Sequence, residues 1–202
     1  MEQLKRTAEA LAANGFTARV FTTAAKAKTA VLELIPPGAQ VGVGGSVTVQ
    51  QMGLREALLE KDCAVHWHWY AEPQDRPATT KRAREADYYL MSSNAVTLEG
   101  ELINIDGNCN RLGSMLFGPP NVIIICGKNK LAEDPIKAVD RIKNVACPLN
   151  ARRLKLATPC EASGRCTDCR SPQRMCSATV RLQRPPGGRN FYVFLVDEEL
   201  GY

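Results

Sequence analysis

At 202 residues, with 45% hydrophobic and 23% charged residues, the chain has the composition of an ordinary one-domain globular protein with room for a substantial core. The net charge of +5 is mild, the longest apolar run, Val122 to Cys126, is far too short to span a bilayer, and MEQLKRTAEALAANG reads as an amphipathic helix rather than a secretion signal. These features exclude a membrane partner and indicate a cytoplasmic protein, in which eight cysteines stay reduced or bind metal.

In chain order, residues 2–13 place Leu4, Ala8 and Leu11 on one helical face and stop at Asn14-Gly15. Phe16 to Phe21 alternates as a strand, and Ala24 to Ile35 is a helix closed by Pro36-Pro37-Gly38. Val41 and Val43 form a short buried strand running into Gly42, Gly44, Gly45, Ser46 and Thr48, with Ser46 as N-cap of the next helix. Strand, glycine turn and helix start can hold a phosphate, carboxylate or nucleotide-like ligand, or can serve tight strand–helix packing. The spacing is neither a Walker loop nor a complete dinucleotide fingerprint. Leu54 to Lys61 is helical. Cys63 to Trp69 alternates as a strand, with His66 and His68 on one face and no third metal ligand nearby, which makes them structural histidines. Thr79 to Ala86 is a helix and Asp87 to Met91 a strand ending at Ser92-Ser93-Asn94.

The next stretch, Ala95 to Arg111, reads as strand, Glu-Gly turn, strand and a polar loop entering a helix. It is dense in hydrogen-bonding groups, and such loops on a rigid scaffold are where binding and chemistry sit. Asn94, Thr97, Asn108, Asn110 and Arg111 are candidate ligand contacts, Arg111 because its planar fork matches a carboxylate or phosphate. Glu99 and Asp106 are the acid/base candidates. After a helical turn at LGSMLF, the uninterrupted apolar run NVIIIC suits a central strand covered on both faces. Pro135 to Lys143 is the following helix, and Ser177 to Gln183 and Asn190 to Val196 form a closing hairpin or a last sheet strand. Strand–helix alternation predicts an α/β fold, a mostly parallel Rossmann-like sheet with helices on both faces, whose ligands bind beyond the carboxyl ends of the strands.

Cys160, Cys166, Cys169 and Cys176 follow the spacing C-x5-C-x2-C-x6-C in a segment too poor in apolar residues to hold its shape by burial. A C-x2-C pair can grip one ion and the outer two thiolates complete a tetrahedron; zinc and an iron–sulfur cluster both suit four thiolates, with disulfides or free thiols as the alternatives. Cys63, Cys109, Cys126 and Cys147 are dispersed, and Cys109 in the polar loop is the one to suspect of reactivity. The organisation expected is an α/β domain over 1–157, a four-cysteine insertion over 158–178 and C-terminal strands over 179–202 that complete the domain.

The blocks VGVGGSVTVQQMG, ADYYLMSSNAVTLEGELINIDGNCNR, FGPPNVIIICGKNKL and PLNARRL with the cysteine-rich tail resemble the lactate utilization (LUD) domain family, in a cysteine-rich branch. The resemblance implies the fold shared by ribose-5-phosphate isomerase, glucosamine-6-phosphate deaminase and CoA transferases. It also implies a phosphate-cradling turn at Gly42 to Thr48, and a glutamate placed like Glu99 as nucleophile or base. Family members are linked to lactate oxidation alongside iron–sulfur subunits. Three functions follow as expectations. The first is a component of a lactate or hydroxy-acid utilization system, with a small anionic ligand, a four-cysteine metal centre and iron–sulfur redox partners. The second is an isomerase or acyl/CoA-transfer enzyme on a phosphorylated or CoA-linked substrate, with structural zinc. The third, a zinc-knuckle regulator using the C-terminal arginines, ranks last because nucleic acid recognition lacks interleaved aromatics or a recognition helix. Whether the chain is itself an enzyme, and whether it forms a homo-oligomer, stay open on the sequence.

Overall fold

A computed structural model describes residues 1–202. In chain order the elements are α1 (Glu2–Ala13), β1 (Thr17–Phe21), α2 (Ala24–Leu34), β2 (Gln40–Val43), α3 (Val47–Gln51), α4 (Leu54–Leu59), β3 (Ala64–His66), α5 (Arg76–Arg84) and β4 (Tyr88–Met91). There follow β5 (Ala95–Thr97), β6 (Leu102–Asp106), α6 (Asn110–Phe117), β7 (Asn121–Gly127), β8 (Leu131–Ala132), α7 (Pro135–Arg141), α8 (Cys147–Leu154), α9 (Pro159–Ser163), β9 (Ala178–Leu182) and β10 (Asn190–Val196). A π-helical turn, Ile142–Ala146, joins α7 to α8.

The main sheet has six strands in the order β1-β10-β7-β4-β2-β3, every pair parallel. Its period-two alternation divides two apolar layers. On β7, Ile123 and Ile125 face a layer built with α2, α3 and α4, while Val122, Ile124 and Cys126 face one built with α1 and α6. Val122 to Ile125 are fully buried, and each contributes about 1.5–3 kcal/mol relative to exposure. The uninterrupted apolar run thus has its cause in a strand covered on both faces.

Three differences from the sequence pattern stand out. The chain has a second sheet of four strands, β8-β5-β6-β9, in which β5 and β9 pair antiparallel with β6. One face of its hairpin, Val96 and Leu102, joins the α1/α6 layer; the other, Ala95, Ile103 and Ile105, packs on α7, the π turn and the start of α8. In addition, β9 and β10 do not form a hairpin. β9 is an edge of the small sheet, whereas β10 inserts between β1 and β7 of the large one. The strand Cys63 to Trp69 is also shorter than its alternation suggests: pairing ends at His66, and His68–Tyr70 is a 3-10 turn. No helix is long and apolar enough to cross a membrane.

Candidate ligand-binding site

Because the main sheet is parallel, the segments leaving β2, β3, β4 and β7 emerge at one edge, where ligands of such sheets bind. There Gly45, Ser46, Thr48, His68, Trp69, Ser92, Ser93, Asn94 and Lys130 line a cavity of about 240 Å³, with Asp106, Asn108, Asn110 and Arg111 from the loop after β6. Cys147, Asn150 and Arg153 of α8, with Met175 and Tyr202, close the other side. Drug-sized ligands occupy pockets of about 300–1,000 Å³, so this one suits a smaller molecule.

Lys130 is the most buried charged group lining the cavity. Only 3% exposed, it donates from Nζ to Thr48 Oγ1 (3.0 Å) and Ser92 Oγ (2.8 Å). No carboxylate forms an ion pair with it. Burial pushes its ammonium down to about 8 and Arg141 and Arg111 push the same way, while Cys126 opposes them. The backbone of the C-terminal segment seals this corner: Thr48 Oγ1 donates to the Leu200 carbonyl, and a Cβ on Gly201 would come within 2.6 Å of Thr48 Oγ1. A buried ammonium with two hydroxyls and no anion is incompletely compensated.

Arg111 is placed differently from what its fork suggests. Its Nη1 donates to the Ser92 carbonyl (3.2 Å) and Asn104 Oδ1 (2.7 Å), and its Nη2 to Asn94 Oδ1 and the Ile105 carbonyl (both 3.0 Å). Asp106 Oδ2 lies 3.9 Å from Arg111 Nε and accepts from the Leu112 amide. Arg111 therefore ties the end of β4 to β6 and α6, and the four hydrogens of its Nη groups are committed to protein acceptors. Asn94 takes part in the same lattice, accepting also from the Ile105 amide (2.9 Å).

The glycine turn divides between packing and site. A Cβ on Gly42 would lie 2.1 Å from the Ala83 carbonyl oxygen, and one on Gly44 would lie 2.8 Å from the Tyr89 hydroxyl and 2.9 Å from Arg111 Cγ. These two permit close packing against α5 and α6, and neither lines the cavity. Gly45, Ser46 and Thr48 do line it; Ser46 also caps α3, its Oγ accepting from the Val49 amide (3.2 Å). Thr97 and Glu99 lie elsewhere. Thr97 Oγ1 accepts from the Glu101 amide inside the hairpin turn, and Glu99 is exposed beside α1, its carbonyl bonded to Asn14. Asp106, Asn108 and Asn110 are brought to the cavity. Sequence reasoning missed Lys130, Trp69 and Arg153, pointed to Ser92 only through the Ser92-Ser93-Asn94 strand end, and read His68 as structural. The signal available for Lys130 was its place just past the carboxyl end of the most apolar strand.

The family model of the LUD domain matches residues 4–196. This chain belongs to the LUD domain family. Among solved structures, a DUF162 family protein from Deinococcus radiodurans matches with a TM-score of 0.57 over 96% of each chain, at 15% identity, a likeness of fold alone. No curated protein matches it.

In this LUD domain the cysteine tail packs beside the cavity. Cys160 is buried in α9, which Arg152 of α8 holds by a bond to the Glu161 carbonyl (2.9 Å). The Cys166 amide donates to Asn144 of the π turn (3.1 Å), and Arg174 donates to the carbonyls of Cys169 (2.6 Å) and Cys176 (3.0 Å). All eight cysteines are free thiols. No three His, Cys, Asp or Glu side chains are gathered as a metal site, so Cys160, Cys166, Cys169 and Cys176 are not assembled as a ligand set. The closest sulfur pair brings in a residue absent from the spacing pattern: Cys147 Sγ lies 3.4 Å from Cys176 Sγ. That contact, then the cations Arg174 and Lys143, hold Cys176 below the ordinary thiol range against the effect of burial; Cys147 is driven up by the same contact and by burial.

Proposed function

We propose that this LUD domain binds a small carboxylate- or phosphate-bearing ligand, as a component of a lactate or hydroxy-acid utilization system in the cytoplasm. The observation that carries the reading is Lys130: a buried ammonium, without a counter-ion, in a cavity lined by hydroxyls and amides. An anion there would supply the missing charge, and Ser46, Thr48, Ser92, Asn108 and Asn110 offer hydrogen-bonding groups for its oxygens. Asp106 is the acid/base candidate that lines the cavity. Isothermal titration of L-lactate and inorganic phosphate into the protein and its Lys130→Met variant tests this. A charge-assisted hydrogen bond of about 1.5–3 kcal/mol corresponds to a loss of roughly tenfold to a hundredfold in affinity. Unchanged affinity in the variant would sink the reading.

The same reading keeps a metal centre at Cys160, Cys166, Cys169 and Cys176, an iron–sulfur cluster or zinc. Four sulfur donors at the spacing C-x5-C-x2-C-x6-C suit those metals, and this spacing is what supports the reading. A cluster would supply electron transfer with iron–sulfur redox subunits; zinc would fix the tail. Elemental analysis and an absorption spectrum on protein purified without oxygen distinguish them, and a metal content unaltered in a Cys166→Ser/Cys169→Ser variant would remove the site.

A further inference from the structure

Resting on the anion-binding reading, we infer that the ligand carries two anionic groups, one held at depth by Lys130 and the other at the rim by Arg153. The cavity's charges lead there. Arg111 is paired with Asp106, its Nε 3.9 Å from Oδ2, and the four hydrogens of its Nη groups are spent on protein acceptors. His68 is held toward its neutral form by burial, then by Arg76 and Arg153, with Asp106 opposing. Lys130 and Arg153 remain as cations with no carboxylate partner.

Arg153 is exposed, yet its position is built. Its guanidinium stacks over Trp69 with Cζ 4.3 Å from the ring centroid. Its Nε donates to Tyr202 Oη (2.9 Å) and Asn150 Oδ1 (3.1 Å), and its Nη2 to Asn150 Oδ1 (2.8 Å), while Nη1 makes no hydrogen bond. Three side chains hold the head group and leave one edge free. Stacking and pre-positioning of this kind reduce the ordering cost of gripping a second anion. Lys130 is buried and Arg153 exposed at the mouth of the same cavity, so an acid with an anionic group at each end offers a partner to both. The ligand class is a short hydroxy acid carrying a second carboxylate or a phosphate.

Titration calorimetry of the full chain with L-lactate, inorganic phosphate, L-malate and 3-phosphoglycerate tests the inference, with Arg153→Met and Arg153→Lys beside the parent. The expected result is malate or 3-phosphoglycerate at least about tenfold tighter than lactate and phosphate, with the better of the two naming the second group. The preference should collapse in Arg153→Met and largely return in Arg153→Lys, which a purely packing role of Arg153 would not produce. Lactate or phosphate binding as tightly as the two-ended acids, or Arg153→Met weakening all ligands by one factor, overturns the inference and leaves the anion reading standing. No binding of any of the four by the parent overturns both.

Discussion

Replacing Arg111 by methionine separates a structural arginine from a ligand-binding one. The methionine keeps most of the length and removes the fork. The structure fixes what is lost: four hydrogen bonds of 2.7–3.2 Å to Ser92, Asn104, Asn94 and Ile105, made by a side chain only 9% exposed. Asp106, 12% exposed, loses its only cation within ion-pair distance. Breaking a buried charge pair costs about 3–5 kcal/mol, against a total stability of about 5–15 kcal/mol. For a domain of this size the melting temperature should fall by roughly 6–20 °C. Urea unfolding should show a lower midpoint with an unchanged slope, since the surface exposed on unfolding is the same. Ligand affinity of the folded fraction should change little, because the Nη fork of Arg111 is bonded to protein acceptors and its Nε faces Asp106. A melting temperature within about 2 °C of the parent, together with lost affinity, would refute this reasoning and make Arg111 a ligand group.

Lys130→Met should leave the ligand-free protein as stable as the parent or more so, because the variant buries no uncompensated charge; a drop of more than about 2 kcal/mol in urea unfolding contradicts this. The pH dependence carries the same residue's signature. Its folded value of about 8 lies below the ordinary 10.5, so between those limits the unfolded chain binds the extra proton and stability rises with pH, by roughly 3 kcal/mol in all. The parent-minus-variant difference should show that rise, and a flat difference from pH 8 to 10.5 denies it. Glu101 runs the opposite way. Burial alone would raise its pKa, but Arg181, at 2.7 and 2.9 Å, and Gln183 hold it below the ordinary 4.5. Its contribution to stability is present above that value and lost as pH falls through its lower folded one, and Glu101→Gln should remove this acid sensitivity in a pH series of melting curves. Gly42→Ala, which drives a Cβ against the Ala83 backbone, should cost about 1–3 kcal/mol in the same assay with little change in ligand affinity.

Much of the main sheet was legible because its signals are local. NVIIIC could hardly be other than a central strand, and the Glu-Gly turn of the β5–β6 hairpin marks itself by Gly100, whose φ of +80° suits glycine. The second sheet was not legible, since its strands pair with partners far along the chain: β6 meets β9 in a register from Leu102–Leu182 to Asp106–Ala178. The same reason hid the place of β10, whose apolar run fits a central strand and a hairpin arm equally well. At the site, residue type misled where geometry decides. Arg111 has the fork of an anion binder, but the fork faces backbone carbonyls and asparagine oxygens of its own fold. Lys130 is one of two lysines in GKNK and carries no local sign of burial; Thr48, Ser92 and the C-terminal segment at Gly201, all distant in sequence, enclose it.

That burial is what makes Lys130 informative. Most polar groups near the cavity have local structural employment: Asn94 and Asn104 bond Arg111, Ser46 caps a helix, and Asp106 holds the first turn of α6. Each would be retained by a protein that bound nothing. Lys130 would not, because methionine would fill the same space without the desolvation cost of an ammonium. The fold places that cost at the carboxyl edge of its central strands, between two hydroxyls that can only accept its protons. A second cation stands at the rim, stacked on Trp69 with one edge of its guanidinium free. On the anion-binding proposal, such an arrangement loses stability when empty and gains it when an anion enters, and mass action would then tie the protein's stability to the supply of its ligand.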